Sequence, residues 1–147
     1  MWQLKKEPIY AICSNDYVTR IRVSKLENYT CVQDEIRNRG CYMKAEVIED
    51  FMAPLKETNR RSMKNRLKGD LNSAMCGVSL PQPGDYIMNA WPDEDAFREN
   101  ACNLMRESYS EKRAAEIREI VKKCPKERRD WNYWVNKGNE MLSGRRN

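Results

Sequence analysis

The clearest pattern of apolar and polar positions runs from residue 55 to residue 75. Leu55, Asn59, Met63, Leu67, Leu71 and Met75 recur at every fourth position, the spacing that stacks side chains on one face of a helix. Lys56, Arg60, Arg61, Lys64, Arg66 and Lys68 occupy the other sides, opposed by Glu57 and Asp70. Pro54 suits a first helical turn, where its missing N–H costs nothing, and Gly77 suits the position just past a helix end. The spacing therefore predicts an amphipathic helix over 55–76, with an apolar stripe and a basic back.

Before this stretch the pattern is shorter in period. Residues 8–14 and 17–24 are rich in β-formers and are separated by Asn15-Asp16, which is turn chemistry. In the second run Tyr17, Thr19, Ile21 and Val23 alternate with Val18, Arg20 and Arg22, as in a strand solvated on one face. A hairpin near 8–24 is expected. Thr30 and Gln33 fit a capping box, Asp34 and Glu35 would lie near the positive end of the dipole, and Gly40 closes a short helix. Residues 41–50 read both ways: Met43, Ala45 and Val47 alternate as a strand would, while Met43, Val47 and Phe51 fit a helix. A strand is favoured, because one hairpin is a marginal sheet and needs a partner.

After the basic stretch, Pro83-Gly84-Asp85 marks a turn before an aromatic-rich run, so a second hairpin is expected near 78–91. Pro92-Asp93-Glu94-Asp95 reads as a helix start, followed by a stripe of Phe97, Ala101, Leu104 and Met105. Ser110 caps a further helix with Ala114, Ile117, Val121 and Cys124 inward and Pro125 as its stop. The last helix, over 126–142, carries Trp131, Trp134, Val135, Gly138, Met141 and Leu142. The fold class expected is α+β: a small antiparallel sheet packed with the basic helix, then two to three C-terminal helices. The 147 residues suffice for a single domain, mixed over 1–91 and helical over 92–147.

Composition narrows the chemistry. Hydrophobic residues make up 40% and charged residues 33%, which is globular rather than disordered. No run approaches the roughly 18–20 apolar residues of a membrane span. The opening residues lack the apolar segment of a secretory signal, so a cytoplasmic protein without a membrane partner is expected. In that compartment the six cysteines, which include no Cys-x-x-Cys, read as unpaired small apolar groups. There is no histidine, which removes His-based acid–base chemistry, nucleophile pairs and zinc sites. Asp93, Glu94 and Asp95 are consecutive, so they diverge on a helix and suit its dipole rather than a metal. Cys31 follows a predicted cap but has no identifiable base. No catalytic residue, metal ligand or cofactor is assigned, and a non-enzymatic protein is expected.

Trp2-Gln3-Leu4-Lys5-Lys6-Glu7-Pro8 resembles the Trp-x-Met-Lys-x-Glu-Pro opening of EVE domains. Those domains belong to the PUA-like barrels and bind modified bases, which is what the resemblance implies. It covers seven residues and does not continue beyond Pro8.

Charge distribution speaks to partners. The formal net charge is +5, and residues 1–55 balance to zero. Residues 56–77 carry +4, 78–111 carry −5 and 112–147 carry +6. Lys56, Arg60, Arg61, Lys64, Arg66 and Lys68 form one basic block. Lys122, Lys123, Lys126, Arg128 and Arg129 form another, next to Trp131, Tyr133 and Trp134. Cations at this density contact phosphates, and neighbouring aromatics add stacking. At helical spacing, however, Trp131 and Trp134 are first read as packing residues. The expectation is a small accessory protein that binds nucleic acid, DNA or RNA, through the basic helix face. The alternative is an interaction module or inhibitor that binds an acidic protein surface, of the type phages and mobile elements encode against host defences.

Overall fold

Strand β3, Asn38–Met52, is the element on which pairing converges. The computed structural model describes residues 7–24, 30–34, 38–53, 65–70, 80–93, 96–99 and 104–146. These group into two compact units, residues 17–110 and residues 1–16 with 111–147.

In the first unit, β1 (Val18–Val23) and β2 (Thr30–Asp34) run antiparallel to successive parts of β3, and β4 (Arg66–Asp70) pairs antiparallel with residues 40–44. The Lys44 carbonyl accepts from Ser24 N at 2.9 Å, while the next N–H, of Ala45, donates to the Asn65 carbonyl at 3.0 Å. Successive residues of a strand aim their backbone groups to opposite sides, so β1 and β4 flank β3. Strands β5 (Gly84–Met88), β6 (Trp91–Asp93), β7 (Ala96–Arg98) and β8 (Arg106–Ser108) complete the order β6-β7-β4-β3-β1-β5-β8, with β2 also on β3. All pairs are antiparallel except β4 with β7.

One face of this sheet carries the core. Ile21, Val23, Met43, Ala45, Leu67, Met88, Ala90 and Phe97 form a buried cluster, with Val47, Leu80 and Tyr86 against it. The alternation expected for 17–24 is present: Thr19, Ile21 and Val23 are buried and Arg22 is exposed. Val18 is buried as well. Register shifts against β3 fall between Val18 and Thr19 and between Arg20 and Ile21, and such bulges re-aim side chains out of strict alternation.

In the second unit, α1 (Pro8–Cys13) and α2 (Glu111–Lys122) are in contact, and α3 is Trp131–Arg146. Cys13 is joined to Cys124 by a disulfide. Trp134 is buried beside it; its ring meets Tyr10 and Tyr133 edge-on at 5.1 and 5.0 Å, and its indole N–H donates to the Arg128 carbonyl at 2.6 Å. Among the described residues no helix is long and apolar enough to cross a membrane.

The α+β class stands, but the sheet is larger than expected and several elements differ. Residues 8–13 are helix rather than strand. Pro8 occupies the first helical position, where its fixed φ favours the turn, and Glu7 before it is extended. β1 consequently pairs with β3 and β5 instead of forming a hairpin with 8–14. The capping box at Thr30 does not start a helix: 30–34 and 38–40 are extended, because pairing across to β3 supplies the backbone partners a helix would have supplied. Residues 41–50 are strand, as favoured. The predicted helix 55–76 is not continuous, since 66–70 is β4; its remainder over 55–64 and 71–76 lies outside the described residues. Leu67 is buried all the same, because a residue can satisfy a period of two as well as a period of four.

Gly69 helps explain the strand. A Cβ there would stand 2.6 Å from Leu80 Cγ and 3.1 Å from Leu80 N, so the close approach of residue 80 requires glycine. β5 forms where the second hairpin was expected, but pairs with β1 and β8; residues 78–79 lie outside the described residues. The helix expected from Pro92 is not continuous: β6 and β7 occupy 91–93 and 96–98, and its parts at 94–95 and 100–103, Ala101 included, lie outside the described residues. Phe97 enters the sheet's core, and Pro92 is tolerated because β6 is the end strand of the order. The last two helices are close to expectation, with Ala114, Ile117 and Trp134 buried.

Candidate functional site

On the sheet face opposite the core cluster, register brings residues of four strands into one row. In β3 the core-facing residues are Met43 and Ala45, so Tyr42 and Lys44 point to the other face. Across the β3–β4 ladder Tyr42 pairs with Lys68 and Lys44 with Arg66. Lys68 pairs with Arg98 of β7, and Arg98 with Trp91 of β6. Residues directly opposite in a ladder share a face. Trp91, Arg98, Lys68 and Tyr42 therefore cross four strands in line, with Arg66 and Lys44 beside the last two.

The electrostatics follow from this packing. Tyr42 is buried beneath the cations: the Arg66 guanidinium carbon stands 4.3 Å from its ring centroid and Lys68 Nζ 5.9 Å. The electron-rich ring face attracts both charges. Arg66, Lys68 and Arg98 are half-buried, Lys44 is exposed, and Trp91 is 37% exposed. The patch thus combines four cations, an aromatic ring that steadies two of them, and a second aromatic open to solvent.

Further along the same face the sheet carries a different arrangement. Arg20 Nη2 donates to Asp85 Oδ2 at 2.6 Å and Arg20 Nε to Oδ1 at 3.0 Å, and Arg22 Nη2 reaches Oδ2 at 3.4 Å. The Arg20 guanidinium also lies 3.6 Å from the Tyr109 ring centroid. Hydrogen bonding from Arg20 holds the Asp85 carboxyl below the usual range and raises Arg20 in turn. A second ion pair is more enclosed: buried Glu99 accepts from Arg106 Nη2 at 2.5 Å and Nε at 2.8 Å. Both pairs join separate segments of the sheet unit and read as structural links.

The sequence-predicted site residues are distributed unequally. Arg66 and Lys68 fall within the patch just described, on a strand rather than on a helix. Lys56, Arg60, Arg61 and Lys64 lie outside the described residues. In the second block, Lys122 pairs with Glu119 at 2.8 Å. Arg128 Nη1 donates to the Asn15 carbonyl at 2.6 Å, and Arg129 Nε to Asp16 Oδ1 at 3.0 Å. Burial lowers the Arg128 pKa, yet an arginine remains charged. Lys123 and Lys126 are exposed. Of the aromatics beside this block, Trp134 packs internally and Tyr133 is half-buried against it, while Trp131 is 58% exposed.

Tyr42, Lys44, Trp91 and Arg98 were not singled out from sequence. The alternation Tyr42-Met43-Lys44-Ala45 was a local signal for the first two. Arg98 and Trp91 join them only through non-local pairing. The expectation that all cysteines are unpaired is corrected at Cys13 and Cys124; a disulfide is the pairing of an oxidising environment rather than of the cytosol. Among the described residues, no group of three or more Cys, Asp or Glu is placed to hold a metal ion.

The site and fold define a small α+β protein with a basic, aromatic-edged sheet face. No protein-family model matches the chain, and no curated protein matches it.

Proposed function

We propose that this chain is a nucleic-acid-binding protein rather than an enzyme, and that its contact surface is the patch of Lys44, Arg66, Lys68 and Arg98 around Tyr42, edged by Trp91. The observation that carries this reading is the register row itself, which gathers cations and an exposed aromatic from four strands onto one face. Cations contact phosphates and release counterions, and an exposed ring offers a surface to a base. An acidic protein surface would match the same charges, and the oligonucleotide titration below separates the two partners. In this reading β4 and its neighbours take the role that the sequence pattern assigns to a helix over 55–76.

The test is a binding titration with labelled oligonucleotides at several salt concentrations, for the wild type and for Lys44→Gln with Arg98→Gln. Wild-type affinity should fall as salt rises. The double variant should bind more weakly, with a log–log salt slope shallower by about one to two units for two lost contacts. Absence of binding by the wild type at low salt overturns the reading.

A further inference from the structure

Resting on that reading, the same patch also indicates the form of nucleic acid. We infer that the row Trp91–Arg98–Lys68–Tyr42 is the track of a single-stranded polynucleotide, which crosses the strands with a base stacked on Trp91.

The first argument is one of dimensions. The row spans β6, β7, β4 and β3 in adjacent order. Neighbouring strands are about 4.8 Å apart, so the row is about 14 Å long before side chains are counted. A duplex major groove is about 12 Å wide and admits one helix or a two-stranded ribbon. A face four strands wide cannot enter it, so its ligand must lie across the surface.

The second argument concerns the aromatic. Trp91 is 37% exposed at the β6 end of the row. In a duplex the bases are stacked on each other and offer an exposed indole no π-face. In a single strand each base has one to offer, whatever its sequence. Tyr42 has a different part. It is 6% exposed and lies under Arg66 and Lys68, so it orders cations rather than receiving a base. Charge along the row and an exposed π-face at its β6 end fit a chain of phosphates with an unpaired base at that end.

Fluorescence anisotropy with a labelled oligo(dT) and with a duplex of equal length, at one fixed moderate salt concentration, tests the inference. The single strand should bind at least about tenfold more tightly than the duplex. Trp91→Ala should weaken single-strand binding by about 5- to 150-fold, the range for loss of one stacking aromatic. It should leave duplex binding within about twofold. Trp91→Phe, which keeps a ring, should recover most of the loss, and circular dichroism of both variants should match the wild type. Duplex binding as tight as single-strand binding overturns the inference while leaving the proposed function standing. Unchanged single-strand binding by a folded Trp91→Ala variant overturns it equally. Failure of the wild type to bind either probe removes the proposed function itself.

Discussion

Arg20 and Asp85 lie on neighbouring strands and meet through two well-aligned hydrogen bonds, at 2.6 and 3.0 Å. Their side chains retain 19% and 27% of their exposure, so the pair is neither freely solvated nor sealed. The Asp85 carboxyl is held below its ordinary range chiefly by that hydrogen bonding.

A depressed folded-state pKa contributes stability that is present above the unfolded value, about 3.9, and is lost as pH falls through the folded one. Asp85→Asn should therefore cost about 1.5–3 kcal/mol near neutral pH, the range for a hydrogen bond to a charged group. The gap between variant and wild type should narrow at an acidic pH below the unfolded value, where the wild-type carboxyl begins to take up its proton as well. Urea unfolding of both proteins at the two pH values measures this. A gap that persists undiminished in acid rules out the linkage.

Reduction should weaken the helical unit. The Cys13–Cys124 bond closes a loop across 111 residues, and removing a native bridge typically costs about 2–5 kcal/mol. Cys13→Ala with Cys124→Ala should shift the denaturant midpoint downward, and added reductant should move the wild type in the same direction. An unchanged midpoint in both experiments refutes the expected stabilisation.

Leu67 and Gly69 probe the replacement of a helix by β4. Leu67→Ala should cost about 2–5 kcal/mol, since the side chain is fully buried in the sheet's core. Gly69→Ala should cost about 1–3 kcal/mol by crowding Leu80. Adding Leu80→Ala should recover part of the Gly69→Ala cost, giving a coupling that a double-mutant cycle reads directly. Strict additivity would mean that Leu80 is not the neighbour that gives way.

Arg128 separates structural from binding cations in the second basic block. Arg128→Ala should lose about 1–3 kcal/mol of stability by freeing the Asn15 carbonyl. Lys123→Gln and Lys126→Gln should change it by no more than about 0.5 kcal/mol, because both side chains are exposed. Thermal melts of the three variants distinguish these outcomes.

What the sequence made legible follows from which interactions are local. α2 and the buried face of α3 were readable, because Ala114, Ile117 and Trp134 sit at helical spacing and Ser110 precedes the start. β1 was readable from its alternation. Three of the failures share one cause. At Thr30 and at Pro92 a local helix signal competed with pairing to the adjoining strand, and over 66–70 with pairing to strands distant in sequence, and the pairing won. Leu67 shows why the basic stretch misled: it fits the four-residue row of Leu55 to Met75 and also the alternation Arg66-Leu67-Lys68-Gly69. The candidate site was legible only at Arg66 and Lys68. Lys44, Arg98 and Trp91 come from segments whose neighbours cannot be known before the ladders are formed.

The bridge between Cys13 and Cys124 has a consequence for how the chain survives cutting. Every peptide bond from residue 13 to residue 124 lies inside the covalent ring that the bridge closes. One protease cut anywhere in that interval, including throughout the sheet unit, opens the ring without dividing the molecule. The nicked protein should migrate near its full mass on a non-reducing gel and separate into two fragments when thiol is added. A cut within α3, beyond Cys124, releases its C-terminal piece at once. The backbone that carries the basic patch is thus tethered at both ends, and the loss of any single link leaves it attached.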